Sequence, residues 1–198
     1  KRLLYPTFMN RHGENSQGQR CEKPWIAPTS ESASCDVPST VYVAAVCLSS
    51  CATPEQQIMA KEKANGSMGY VPFVEAWEKK FAFVATLGSQ SSMSSKKVQK
   101  TRVDQWITEL IDSEHVILEF HMASGGSLRL TPNHPLLTSD AFMRLAGELK
   151  VGDKLVRLGG ISDQIVSIAE TNYYGKVYNV SVKSASLHKN IVITNGYL

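Results

Sequence analysis

Apolar and polar positions alternate along this chain in short runs, and nearly every run is bounded by Gly, Pro, Ser or Asn. Residues 41–48 form an unbroken apolar stretch rich in Val, of the kind buried on both faces of a sheet, and Ser49 and Ser50 end it. Residues 70–73 and 81–87 read as further strands, with the charged stretch 75–80 as an exposed turn between them. Residues 87–97, rich in Ser and Gly, read as a loop. Strict alternation returns at 101–110 and 116–122, and Gly125-Gly126 marks a tight hairpin into a strand at 127–130. Four more short strands are expected at 154–158, 164–169, 176–182 and 190–194, and residues 140–149 form the one helix-like stretch. Many short strands at close spacing imply an all-β sandwich or closed, barrel-like architecture, and no repeat of 20–50 residues suggests a solenoid.

The chain has 198 residues, which suits one main domain with an appendage. Its net charge of +3 is spread along the sequence without a basic stripe, so no nucleic-acid partner is expected. The longest apolar runs, 41–48 and 191–194, fall far short of the ~20 residues that cross a bilayer. A start at Lys1 without a signal-peptide pattern suggests a piece of a longer precursor, and a monomer is expected. Residues 1–38 are rich in Pro, Ser, Asn, Gln and Glu and read as irregular structure. All four cysteines, Cys21, Cys35, Cys47 and Cys51, fall in the first quarter. They show neither C-x-x-C nor paired-His spacing, so neither a metal nor a cofactor is called for. Cys21 and Cys35 suit a disulfide that staples the core-poor segment, which would place the protein outside the cell or on its surface.

Three stretches carry candidate chemistry. In Ser50-Cys51-Ala52-Thr53-Pro54 a cysteine follows an apolar strand, and its thiolate is a strong nucleophile; a buried cysteine or a disulfide is the plainer alternative. In Leu130-Thr131-Pro132-Asn133-His134-Pro135 two prolines bracket a rigid turn that brings a hydroxyl and an imidazole together. An imidazole both accepts and donates protons near neutral pH, although many such histidines only satisfy backbone groups. Residues 177–182 and 191–196 form two late strands with His188 between them and Asn195-Gly196 as a turn. His12, His115 and His121 read as structural or surface residues.

Thr131-x-x-His134, followed by Leu149-Lys150-Val151-Gly152-Asp153-Lys154-Leu155-Val156, resembles the central block of the hedgehog/intein, or Hint, superfamily. Residues 177–182 and 191–196 resemble its closing strands, and Cys51 with Ile58 seven residues on resembles its opening block. The resemblance covers residues 51–198 and implies a flat, pseudo-twofold β horseshoe preceded by an irregular flanking segment, residues 1–50. It implies autocatalytic, single-turnover self-processing. Cys51 attacks the carbonyl of Ser50 in an N-to-S acyl shift, Thr131 holds the scissile peptide, and His134 protonates the departing nitrogen. Water, a thiol or another nucleophile then resolves the thioester, and His188 is a weaker candidate for charge stabilisation or the downstream step. Several departures keep alternatives open. The opening block lacks the usual Gly-Thr and Gly-Asp, Cys47 is a rival nucleophile and a disulfide partner for Cys51, and Asn179 stands where many inteins have Asp. The final Asn195-Gly196-Tyr197-Leu198 carries no His-Asn pair, so the resemblance implies N-terminal cleavage and leaves C-terminal cleavage and splicing open. A catalytically degenerate Hint module, serving as a structural or interaction domain, and a disulfide-stabilised secreted β domain that binds a partner are the competing readings.

Overall fold

The protein is known from a computed structural model that describes residues 51–109, 111–182 and 191–198. The appendage, the expected strand at 41–48, and Cys21, Cys35, Cys47, Ser50 and His188 lie outside these residues.

Eleven strands follow in order among the described residues: β1 (Gln57–Lys61), β2 (Gly69–Pro72), β3 (Phe83–Leu87), β4 (Val98–Thr108), β5 (Ser113–Met122), β6 (Ser127–Leu130), β7 (Pro135–Leu137), β8 (Met143–Leu145), β9 (Lys154–Val156), β10 (Ser162–Gly175) and β11 (Tyr178–Val182). All of their pairings are antiparallel. One sheet runs β11-β4-β3-β1-β2, a second runs β6-β5-β10-β9, and β7 and β8 form a separate ribbon. The all-β expectation is met. The Gly125-Gly126 turn is also present: Gly125 adopts φ +86°, a region open to glycine because it has no Cβ, and β5 pairs with β6 across it.

Three expectations fail. The charged stretch after β2 is a short helix, α1 (Phe73–Glu78), rather than an exposed turn. Phe73 and Ala76 fall one turn apart on its buried face, Trp77 packs beside them, and Glu75 pairs with Lys79 at 2.7 Å on the outer side. Its charges had hidden a 3.6-residue pattern. Conversely, residues 140–149 are not a helix. Ala141 sits at φ +73°, which an α-helix excludes, and Met143–Leu145 pairs with Pro135–Leu137. Only Ala146–Glu148 turns helically, as a single 3-10 turn. The predicted strand at 164–169 extends to fourteen residues as β10 because the ten-residue β5 pairs along most of it, from Met122 opposite Ile165 to Ser113 opposite Gly175, and β9 pairs with its start. Residues 191–198 make isolated bridges, Val192 to Thr86 and Thr194 to Ile58, instead of a continuous strand.

The main core fills the space between the sheets with Ile58, Phe73, Phe120, Leu128, Leu130, Leu155, Ile165, Tyr178 and Tyr197. The two large sheets are joined at Ala52, which bridges Leu130 of β6 on one side and Tyr178 of β11 on the other. Cys51 therefore sits on the seam between the sheets. No helix among the described residues is long and apolar enough to cross a membrane.

Candidate active site

The seam fixes Cys51 through its backbone. Ala52 donates its N–H to Tyr178 O at 2.9 Å and accepts the Tyr178 N–H at 2.9 Å. One residue earlier the backbone turns its groups the other way, as alternation in a strand requires. The Thr131 N–H donates to Cys51 O at 2.9 Å, and the Cys51 N–H donates to Thr131 Oγ1 at 2.9 Å. The same hydroxyl donates back to Cys51 O at 3.2 Å. Thr131 thus holds both backbone polar groups of Cys51, and it does so from within the core, where Thr131 and Cys51 are both buried.

Thr131 follows directly on β6. From it the chain makes the expected tight turn, closed by the His134 N–H on Thr131 O at 3.0 Å. The 3-10 turn clamps this loop from behind, with Ala146 N–H on His134 O at 2.8 Å and Gly147 N–H on Pro132 O at 2.7 Å. A Cβ on Gly147 would come within 3.2 Å of the Pro132 side chain, so a larger residue there would have to press the loop back by a few tenths of an ångström. His134 is buried at 7% exposure, three residues before the β7 backbone that binds Leu198: the Leu137 N–H donates to Leu198 O at 2.8 Å. The structure thus brings Cys51, Thr131 and the His134 turn to one seam. Ser50 and His188, the other expected site residues, lie outside the described residues.

The Cys51 side chain is fully buried against Ile107 of β4, Ile117 of β5 and Val177, with Tyr173 of β10 packed alongside. Beyond this apolar wall, Glu109, just past the end of β4, and His115 of β5, each two residues from a wall residue, meet at 2.8 Å. Ser113 Oγ donates to Glu109 Oε1 at 2.7 Å, and the His115 ring stacks on Tyr173 with centroids 6.4 Å apart. This group ties β4 to β5, which do not pair as strands, and it gives His115 the structural role expected of it. Burial raises the Tyr173 and Tyr178 hydroxyls above the ordinary phenol value, so both are neutral donors at working pH.

The chain's last turn is anchored as firmly. Asn195 Oδ1 accepts the Gln57 N–H at 3.0 Å, and Asn195 Nδ2 donates to Ser127 O at 2.9 Å. Tyr197 is 1% exposed and donates to Asp163 Oδ2 at 2.7 Å, where Ser124 also donates through its hydroxyl. Burial first, and then the Asp163 carboxylate, push the Tyr197 hydroxyl up to about 12. Burial alone would raise Asp163, but hydrogen bonds from Ser124 and Tyr197 outweigh it and leave the carboxyl below its ordinary value.

Sequence reasoning gave Asn179 no role beyond a departure from a motif. The register places it one residue past Tyr178, as Cys51 is one residue before Ala52, so Asn179 lies opposite Cys51. It is 9% exposed, and its Oδ1 accepts the Val180 N–H at 2.7 Å. The available signal was its parity with Val177, which lines the Cys51 wall.

No family model matches the sequence, and no curated protein matches it. Solved structures do match. A bacterial intein-like domain from Clostridium thermocellum aligns at TM-score 0.55 and 20% identity over 72% of this chain and 96% of its own. A DnaB intein from Synechocystis sp. PCC 6803 aligns at TM-score 0.55 and 19% identity over 74% of this chain and 94% of its own. An intein from a hyperthermophile aligns at TM-score 0.60 and 15% identity over 74% and 96%. The chain has the Hint fold, in the form found in inteins.

Proposed function

We propose that this chain cleaves itself: Cys51 attacks the carbonyl carbon of Ser50, an N-to-S acyl shift forms a thioester, and water or a thiol releases residues 1–50. Cys51 is the nucleophile, Thr131 holds the peptide nitrogen, and His134 protonates that nitrogen as the bond breaks. The observation that carries this reading is the Thr131 hydroxyl, which accepts the Cys51 N–H and donates to the Cys51 carbonyl from the turn that also carries His134. The Hint fold supports it. A hydroxyl bonded to the nitrogen of the scissile peptide orients that bond for attack and assists the departure of its nitrogen. The substrate is the chain's own flanking segment, so the domain boundary falls at 50/51 and each molecule turns over once.

Incubation of the intact chain with a small thiol tests this directly, because exchange drains the thioester. Intact mass should show two pieces, the larger beginning at Cys51, and Cys51→Ala should remain whole. A larger piece beginning at Cys47 would move the nucleophile to that residue. No cleavage under any thiol would leave the silent Hint module, which the complete burial of Cys51 in an apolar wall favours. Comparing mass with and without reductant reads the cysteine pairing in the same samples. A Cys21–Cys35 disulfide supports a secreted or cell-surface setting, and all four cysteines paired would favour a partner-binding β domain.

A further inference from the structure

The bonds between Cys51 and Thr131 form only while the strand of the nucleophile keeps its register against β6. Resting on the self-cleavage reading above, we infer that Gln56 is a positioning residue for the acyl shift: its buried side-chain oxygen replaces a missing rung in the ladder that seats Cys51 on Thr131.

Residues 51–53 run antiparallel to β6, with Ala52 opposite Leu130. In a regular ladder the residue pairs on either side of such a bridge exchange two bonds each, N–H for carbonyl in both directions. At Cys51 and Thr131 both are made: the Thr131 N–H donates to Cys51 O and the Cys51 N–H to the Thr131 hydroxyl, each at 2.9 Å. On the other side the pair is Thr53 and Arg129, and there the ladder is poor. The Thr53 N–H reaches Arg129 O at 3.4 Å, outside the usual range of about 2.7–3.2 Å. Thr53 O is turned into the next turn of the chain, where it accepts the Gln56 N–H at 3.1 Å. The Arg129 N–H donates instead to Gln56 Oε1, at 2.8 Å.

The rest of Gln56 is fixed. It is 3% exposed, its N–H is held by Thr53, and its carbonyl accepts the Phe73 N–H at 2.9 Å where α1 begins. A backbone N–H requires an acceptor, so the amide oxygen is the atom turned to Arg129, and the buried Nε2 finds no partner. An unpaired buried donor lowers stability, so what the amide contributes here is its oxygen. The second link from this turn to Arg129, the ion pair of its guanidinium with Glu55, is solvent-exposed, where such pairs hold little. Arg129 and Thr131 are two residues apart on one short stretch of chain. A slip of Arg129 away from residues 53–56 therefore shifts the Thr131 hydroxyl against the Cys51 N–H and carbonyl, and a misplacement of about 1 Å at a reacting centre can cost about 10²-fold in rate. Gln56 acts through Arg129 and Thr131, upstream of the chemistry.

The test follows thiol-induced cleavage of the full chain by intact mass and, before thiol is added, hydrogen exchange at the Arg129 and Cys51 amides, for wild type, Gln56→Met and Gln56→Glu. Methionine keeps the volume and removes the acceptor, whereas glutamate keeps an oxygen acceptor in the same place. Gln56→Met should exchange both amides faster and be cut about 10–100-fold more slowly, and Gln56→Glu should recover the protection and most of the rate. If Gln56→Met fails to fold, Gln56→Asn takes its place with the same expected results, since its amide stops one methylene short of Arg129. Cleavage of the folded acceptor-less variant within roughly threefold of wild type overturns the inference and leaves self-cleavage standing. Unchanged exchange at both amides does the same, as does equal slowing by Met and Glu, which would make Gln56 a packing residue. A wild-type chain that thiol leaves whole overturns the self-cleavage reading instead, and exchange alone then decides whether Gln56 holds Thr131 on Cys51.

Discussion

Thr131 is the residue whose chemistry is most constrained by its surroundings, because one hydroxyl both accepts from and donates to Cys51 in a buried setting. Thr131→Val keeps the shape and leaves the buried Cys51 N–H without its acceptor, at a typical cost of about 1–3 kcal/mol. If the bond also orients the scissile peptide, thiol-induced cleavage should fall by more than this stability loss explains. A Thr131→Ser variant, which keeps the hydroxyl, should recover most of the rate; equal rates for Val and Ser would reduce Thr131 to a packing residue. His134→Ala should slow cleavage by about 10²–10⁴-fold, the usual worth of general acid help, with the melt little changed. Wild-type cleavage by His134→Ala would show that the turn is only structural.

At the scale of elements, the hairpin between β5 and β6 does more than reverse the chain. A Cβ on Gly126 would lie 2.2 Å from the Tyr197 hydroxyl, closer than any atom pair tolerates. The aromatic side chain is 1% exposed and tied to Asp163, so it cannot swing aside cheaply. Gly126→Ala should therefore cost about 1–3 kcal/mol through overpacking, read as a melting temperature lower by several degrees. Gly69→Ala, where a Cβ meets nothing within 4 Å, is the control and should melt close to wild type. A Gly126→Ala melt equal to the control would mean that the last turn yields without strain.

For the whole molecule, the same Tyr197–Asp163 contact makes stability depend on pH at the alkaline end. The hydroxyl's folded value of about 12 lies above its ordinary value of 10.0, so the folded state favours the neutral phenol. That contribution is fully present below pH 10 and is lost as pH rises from 10 toward 12; the raised value corresponds to about 3 kcal/mol. Chemical denaturation between pH 9 and 12 should show a steeper loss for wild type than for Tyr197→Phe, and parallel curves would remove Tyr197 as the cause. Asp163 acts at the other end. Its carboxyl lies below its ordinary value, so its contribution is present above the unfolded value of 3.8 and fades as pH falls through the lower folded one.

Local residue choice was enough for much of this protein. Alternation and turn chemistry determined its all-β class, the hairpin at Gly125-Gly126 and the turn at Asn195-Gly196, because these depend on side-chain parity and on backbone angles that few residues adopt. The rigid turn from Thr131 to His134 was legible for the same reason. What lay beyond local sequence was decided by partners distant in the chain. Residues 73–78 became a helix because Phe73 and Ala76 found a core to enter, and residues 140–149 did not because β7 offered Met143–Leu145 a ladder. The site is the clearest case. Cys51 and Thr131 are 80 residues apart, and only the insertion of Ala52 between β6 and β11 brings them into contact. That insertion also sets Asn179 opposite Cys51, a relation that no local pattern contains, because register between distant strands is a property of the assembled sheet.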